Sequence, residues 1–390
     1  MNYQESEERQ QLRAAVKAFA AKYGREYFVG KARAGEKTSE LWAEAGRLGY
    51  LGVNLPEEHG GGGGGLGDLA AVCEELAAAG CPLLLMVVSP AICGTIISRF
   101  GTDTQRKQWL PGIADGTFTM AFAITEPDAG SNAHRITTTA RRLDNGGAGD
   151  GWVLSGRKVF ISGVDEAQAV LVVARTNDAR TGRLKPALFV VPTDAPGFEY
   201  RRIEMDMVSP EKQFGLFIDD VRLPADALVG DEDAAIAQLF AGLNPERVMA
   251  AAFSAGAARY ALDRAVEYAK TREVFGTPIG AHQAVAHPLA ESAIQIELVR
   301  LMIQKAAAIY DSGDDAGAGE AANMAKYAAA EVACETLDRA IQVHGGNAFT
   351  SEFGLAGMLA GIRAGRVAPV SREMILNFVA MHTLGLPKSY

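Results

Sequence analysis

Four short segments gather the side chains able to hold a planar polar ligand. The first, Ile124-Thr125-Glu126-Pro127-Asp128-Ala129-Gly130-Ser131-Asn132, crowds hydroxyls and free backbone groups into a loop that could grip such a ligand along its edge. Its Pro, Asp, Gly, Ser and Asn are also ordinary turn residues, so composition leaves a simple turn open. The second, Lys158-Val159-Phe160-Ile161-Ser162-Gly163, sets an aromatic beside a hydroxyl on a strand, although a half-buried strand is the plainer account of it alone. The third, Arg272-Glu273-Val274-Phe275-Gly276-Thr277-Pro278-Ile279-Gly280 with His282-Gln283, supplies a cation and polar groups between two helices; an interhelical turn built on Gly and Pro explains the same residues. The fourth, Gln342-Val343-His344-Gly345-Gly346-Asn347, ends a helix on paired glycines that would let a phosphate or a partner backbone approach, or would simply cap the helix.

The elements that must position these segments follow from periodicity. From residue 7 to about 113 the pattern is helical, with Leu12, Val16 and Phe19, then Leu41, Ala45 and Leu48, then Leu69, Val72 and Leu76 on successive faces. Pro56 marks a helix end, the glycine run 60–65 reads as a mobile connection, and Thr102-Asp103-Thr104-Gln105 offers a capping box. That run is no phosphate loop, because Leu66-Gly67-Asp68 stands where Gly-Lys-Ser/Thr is needed. Between 119 and 230, apolar runs at 120–125, 152–154, 159–162, 170–174, 188–191 and 214–218 predict strands. Turn signals such as Asp144-Asn145-Gly146 separate them too closely for crossover helices, so a mostly antiparallel sheet or small barrel is expected. From 231 onward long helices return at 245–271, 282–310 and 318–343. The expected plan is α+β: an N-terminal helical domain (1–118), a central antiparallel β-domain (119–230), and a C-terminal four-helix-bundle domain (231–390).

Composition narrows the partners. With 390 residues, 48% hydrophobic and 22% charged, the chain has ample material for a core and nothing of a disordered or disulfide-stapled protein. A formal charge of −9 lacks the basic field that nucleic acid would require. No apolar run approaches the roughly 20 residues a bilayer span needs, and Glu5, Glu7 and Glu8 stand where a secretory leader would be basic, so a cytoplasmic location is expected. Cys73, Cys81, Cys93 and Cys334 form no Cys-x-x-Cys pair and the six His show no ligand spacing, so no metal site is expected.

Taken in order, the four segments resemble those of the acyl-CoA dehydrogenase flavoproteins, and the resemblance runs the length of the chain. It implies that FAD is the cofactor, with Phe122, Ile124, Thr125 and Ser131 at the flavin and Ser131 also near the substrate. Phe160, Ile161 and Ser162 match the aromatic-Ile-Thr/Ser triplet beside the ring; Phe160 stands where the family usually has Trp, keeping the flat surface and losing the indole donor. Arg272, Val274, Phe275, His282, Gln283, Gln342, Val343, Gly345, Gly346 and Ser371 match positions that hold the rest of the cofactor, partly across a subunit interface. A homotetramer, a dimer of dimers, is implied.

Oxidising a thioester between its α and β carbons needs a carboxylate to take the α-proton while hydride passes to the flavin. Many family members carry that Glu in a C-terminal Glu-Gly-Thr; here Pro369-Val370-Ser371 stands there, and Pro369 also lacks the N–H that would polarise the thioester carbonyl. Either a neighbouring N–H such as that of Val370 takes its place, or the flavin ribityl hydroxyl carries more of that role. In a subgroup resembling the isovaleryl and long-chain enzymes the base instead precedes an Arg on a helix, which assigns catalysis to Glu246, with Arg247 and Leu243 toward the substrate. Glu373 is the runner-up. Asn244 as N-cap and Pro245 at the first helical position would also explain Glu246 as a helix-start residue, lowered by the helix terminus and Arg247 but raised by a closing acyl pocket.

The expected activity is FAD-dependent dehydrogenation of an acyl-CoA to its trans-2-enoyl thioester, as in fatty acid β-oxidation, with an electron-transfer flavoprotein as acceptor. An acyl carrier protein thioester in place of the CoA ester stays open, because nothing in the motifs distinguishes the two. Two rivals share the scaffold: a flavin monooxygenase or oxidase, and a silent acyl-thioester binder.

Overall fold

Apolar residues at helical spacing build the N-terminal third. The computed structural model describes residues 5–143, 151–177, 184–232 and 235–388. Helices α1 (Glu7–Ala20), α2 (Gly24–Ala34), α3 (Ser39–Arg47) and α4 (Leu66–Ala78) are followed by α5 (Leu84–Met86), a π-helical stretch (Val87–Gly94), α6 (Thr95–Phe100) and α7 (Asp103–Asp115). The capping box forms as expected: Gln105 N–H donates to Thr102 Oγ1 at 3.2 Å and Thr102 N–H to Gln105 Oε1 at 2.9 Å. Pro56 ends no helix; α3 has already stopped at Arg47, and Pro56 opens a short 3₁₀ turn. The glycine run is not a loose connection either. Gly62, Gly63 and Gly64 donate to Gly52, Leu55 and Val53 carbonyls at 2.8–2.9 Å, and a Cβ at Gly61 would stand 2.2 Å from the Leu55 oxygen. Only glycine permits that backbone-on-backbone contact.

The β-domain holds β1 (Met120–Ala123), β2 (Thr139–Arg142), β3 (Trp152–Ser162), β4 (Ala169–Asn177), β5 (Leu184–Pro192), β6 (Phe198–Ile203), β7 (Gln213–Leu223) and β8 (Leu228–Val229). The strand path is β6-β7-β3-β2-β4-β5-β8, with β1 beside β4. Among the described strands this path is open, so the small barrel expected from the sequence is a sheet with two ends, β6 and β8. It is mostly antiparallel, but β1 and β2 run parallel to β4. The turn signal Asp144-Asn145-Gly146 lies outside the described residues.

In the C-terminal part, α8 (Ala235–Thr271) leads through a small hairpin, β9 (Glu273–Val274) and β10 (Thr277–Pro278), to α9 (Gln283–Asp311), α10 (Asp315–His344), α11 (Leu359–Ala364) and α12 (Arg372–Phe378). Only three of these helices are long; the fourth packed on them is α4, against α8 and α9. One apolar core therefore runs through both helical parts, joining Val16, Leu69, Leu76, Ala252, Val299 and Ala325. No helix of the described residues is long and apolar enough to cross a membrane.

Asn244 and Pro245 do not start a helix: α8 begins at Ala235 and runs through both. Proline inside a helix leaves the carbonyl four residues back without its N–H partner. Tyr310 repairs the gap, its hydroxyl donating to the Ala241 oxygen at 2.8 Å.

A buried ionic knot ties the same helices together. Glu74, on α4 and only 1% exposed, pairs with Arg13 of α1 at 2.8 Å, Arg259 of α8 at 2.7 Å and Arg300 of α9 at 2.8 Å. Glu75 adds contacts to Arg13 and Arg259 at 2.9 and 2.8 Å.

Candidate active site

Glu246 lies about three turns inside α8 at 3.6 residues per turn. It is therefore not the first-turn carboxylate of a helix start, and the helix terminus does not stabilise its charge. Among the described residues its carboxylate has neither ion pair nor hydrogen bond. Burial lifts its pKa to about 7 against the pull of Arg247 and Lys326. Of the opposing influences recognised in the sequence, burial wins.

Around Glu246, α8 and α10 share a polar seam. Arg247, buried, donates through Nη1 to Asn244 Oδ1 at 2.9 Å, and Asn244 Nδ2 reaches the Asp315 carbonyl at 3.3 Å. Lys326 of α10 is buried and donates through Nζ to the Val370 carbonyl. This brings Val370 of the C-terminal segment to the same seam. The Val370 N–H has no acceptor among the described residues. Glu373, the runner-up base, is exposed on α12.

The first two sequence segments meet beside this seam. Val159 N–H donates to the Thr125 carbonyl at 2.9 Å. Glu126, buried, accepts from the Thr137 N–H at 2.6 Å, the Thr138 hydroxyl at 2.6 Å and Lys158 Nζ at 2.9 Å, and Lys158 also donates to the Ile124 carbonyl at 3.0 Å. Burial alone would raise the Glu126 pKa, but the Thr138 hydroxyl, the Thr137 N–H and the Lys158 ammonium outweigh it and hold it at about 2. Burial brings Lys158 down to about 8 in spite of that pair. The loop is also a turn, closed by reciprocal bonds between Glu126 and Ala129 at 3.1 and 3.2 Å. The turn that its composition allowed is therefore formed.

Phe160 is held in an unusual place. The register of β3 against β7 slips between Lys158 and Ile161, and within that bulge Phe160 adopts φ +58°, a conformation bulky residues rarely take. Its ring is 58% exposed, while Ile161 is buried and Ser162 accepts from Gln213 Nε2 at 2.9 Å. Phe122 belongs to the core that also holds Ile92 and Cys93 of the π-helical stretch, and Ile124 and Leu243 pack against that core. Glu246 sits close enough to Cys93 to raise its thiol pKa further after burial. The ends of β1 and β3, the π-helical stretch and the middle of α8 therefore surround one place. Ser131 is exposed at its edge.

The third and fourth segments meet elsewhere, at the far end of the C-terminal helices. Ile279 and Val343 pack on one small core, Tyr268 stacks on His344 with centroids 4.3 Å apart, and Asn347 Nδ2 donates to the Tyr268 hydroxyl at 2.9 Å. Phe275 and Gly276 form the two-residue turn of the hairpin, with φ +56° and +77°, the backbone of a type I′ turn. Phe275 is 98% exposed, and Arg272, His282, Gln283 and Gln342 are exposed around it. Gly345, φ +57°, and Gly346 open outward: a Cβ at either would meet nothing within 4 Å. This cluster lies about 38 Å along α8 from Glu246 at 1.5 Å per residue, so the four segments form two sites within one chain.

The acyl-CoA dehydrogenase N-terminal, middle and C-terminal domain families match residues 6–117, 121–221 and 236–384. Acyl-CoA dehydrogenase FadE12 of Mycobacterium tuberculosis (strain ATCC 25618 / H37Rv) is 67% identical over 386 residues, 99% of this chain and 98% of that one. The chain belongs to the acyl-CoA dehydrogenase family. A glutaryl-coenzyme A dehydrogenase solved as its glutaryl-CoA complex superposes with a TM-score of 0.92 at 28% identity, over 100% of this chain and 98% of that one. A glutaryl-CoA dehydrogenase from Mycobacterium smegmatis in complex with FADH2 gives 0.89 at 26% identity, over 99% and 96%.

Two further side chains of this family member are brought to the site by the three-dimensional structure. Tyr310 completes α8 below Glu246, and Lys326 carries a buried charge into the seam. For Lys326 a signal existed: it falls four residues from both Ala322 and Ala330, on the stripe α10 buries. A lysine on an apolar stripe needs a reason.

Proposed function

We propose that this protein dehydrogenates an acyl-CoA to the trans-2-enoyl thioester, with Glu246 as the base. The observation that carries this reading is a carboxylate free of any partner among the described residues, with its pKa lifted to about 7, beside the loop of Thr125 and the bulge of Phe160. A general base works best with a pKa near the operating pH. In its ionised form Glu246 takes the α-proton of the substrate through a carboxylate oxygen. The Val370 N–H replaces the donor lost at Pro369, and Arg247 with Leu243 borders the acyl group.

The residues present fit FAD. Phe160, turned out of its strand at positive φ, offers a flat face; Thr125, Ser131 and Ser162 offer hydroxyls at its edge; Phe122, Ile124 and Ile161 close the apolar side. Bound there, FAD supplies the hydride acceptor. Arg272, Val274, Phe275, His282, Gln283, Gln342, Val343, Gly345, Gly346 and Ser371 complete the cofactor site. The first nine of these sit too far along α8 to serve the Glu246 site of their own chain, so they serve that of a second copy. This distance, and the bare Phe275, support the homotetramer as a dimer of dimers. The electron acceptor in this reading is an electron-transfer flavoprotein.

The test is anaerobic titration of the FAD-loaded protein with short, long and branched acyl-CoAs. Loss of flavin absorbance with one chain class is expected. Absorbance unchanged by every acyl-CoA would overturn the dehydrogenase reading, and oxygen consumption without an added acceptor would favour oxidase or monooxygenase chemistry. A second expectation concerns the loop: Lys158→Met strands Glu126 without its cation and weakens FAD retention roughly 10- to 100-fold, about one charged hydrogen bond. Reconstitution of the apoprotein with FAD, followed by flavin fluorescence, measures it.

A further inference from the structure

We infer that Lys326 is the positioning residue of this site: from α10 it holds the Val370 carbonyl and lends Glu246 a positive charge without pairing with it. The inference rests on Glu246 being the base, as proposed above.

The molecule contains two fully buried lysines among the described residues, and they are used differently. Lys158 lies 2.9 Å from the Glu126 carboxylate, a closed ion pair. Lys326, only 2% exposed, has no carboxylate within ion-pair distance among the described residues; its ammonium rests on the neutral Val370 oxygen. A buried cation with a neutral acceptor is costly, and packed apolar residues are usually the better choice. Its neighbours are Ala322, Ala325, Ala329 and Ala330, all buried, so an apolar side chain would suit the stripe.

The arrangement serves a base in two ways. A direct bridge to Glu246 would depress the carboxyl and occupy lone pairs that the proton needs, making it a weaker base. Held on Val370 instead, the ammonium stabilises the ionised carboxylate and leaves its oxygens free. It also fixes the peptide whose neighbouring N–H faces the thioester in the proposed mechanism. The charged and titratable groups acting here are Arg247 on α8, the Cys93 thiol of the π-helical stretch, Glu331 on α10 and Glu373 on α12. Burial and then Arg247 bring Lys326 itself down to about 8, in spite of Glu246, Glu331 and Glu373. It is therefore mostly cationic at the midpoint of Glu246 ionisation and loses its charge above that point.

The experiment compares Lys326→Gln, Lys326→Met and Lys326→Arg in the FAD-loaded protein, following flavin reduction by the best acyl-CoA from pH 5.5 to 9. Gln keeps a donor for Val370 and loses the charge; Met loses both; Arg keeps both. The acid limb should move up by about one pH unit in Gln and Met, the usual effect of removing a nearby opposite charge. That makes reduction about fivefold slower at pH 7, with the gap closing toward pH 9. Only Met should also raise KM. Arg should leave the limb within about 0.3 unit. In parallel, the carboxylic-acid infrared band of Glu246 is titrated in the apoprotein, assigned by its absence in Glu246→Gln. A limb and band unmoved in the neutral variants, an equal slowing at every pH, or a limb moved as far by Arg as by Gln would each overturn the inference. Should Glu246→Gln reduce the flavin at the wild-type rate, the base assignment falls, while the infrared titration still decides whether Lys326 governs that carboxyl.

Discussion

Glu246→Gln is expected to slow flavin reduction by acyl-CoA about 1,000- to 10,000-fold, the upper range for removing a general base. The amide keeps the shape of the carboxyl and cannot accept a proton. The wild-type rate should rise with pH through about 7, since the base works ionised and burial has lifted its pKa to there. At pH 6 the rate should stand roughly tenfold below the plateau. The same shift has an opposite sign for stability. A carboxyl whose folded pKa exceeds its unfolded value favours folding below the unfolded pKa, and that contribution is lost as pH rises through about 7. Glu246→Gln should therefore melt no lower than wild type at pH 8. Reduction at an undiminished rate would make Glu246 a structural residue and turn attention to Glu373.

Glu74→Gln is expected to destabilise the protein by about 3–5 kcal/mol, the usual result of removing one partner from a buried ionic group. Three guanidiniums, from Arg13, Arg259 and Arg300, lie within 2.8 Å of its carboxylate. Without that charge they repel one another at a partly buried place where water screens them only in part. The knot joins α1, α4, α8 and α9, so the loss should appear as one cooperative shift in the urea midpoint, with FAD held saturating because bound cofactor raises apparent stability. A change under about 1 kcal/mol would mean that the remaining carboxylates hold the arginines, Glu5 and Glu75 on Arg13, Glu75 on Arg259 and Glu297 on Arg300.

Much of the fold was legible because its signals are local. The capping box at Thr102, the long helices and six apolar runs of the sheet follow from spacing. Strands β2 and β6 were not legible: Thr139–Arg142 and Phe198–Ile203 bury one face thinly and carry Arg141, Arg142, Glu199, Arg201 and Arg202, so they look like loops until β3, β4 and β7 pair with them. Asn244-Pro245 read as a helix start because those residues favour one; a hydroxyl from Tyr310, 65 residues later, lets the helix continue instead.

The sequence by itself determined the family, and it pointed to the loop of Thr125 and Ser131, the Phe160 triplet, the glycine pair and the Glu246-Arg247 dyad as the proposed site, because each is a short run of particular residue types. The tertiary structure decided what those residues do to one another. Burial, not the helix terminus, controls Glu246; Lys326 and Val370 enter its surroundings from distant parts of the chain; and the length of α8 sets how far apart the two clusters of one chain lie. Charge, desolvation and distance act through space, and spacing along a chain does not carry them.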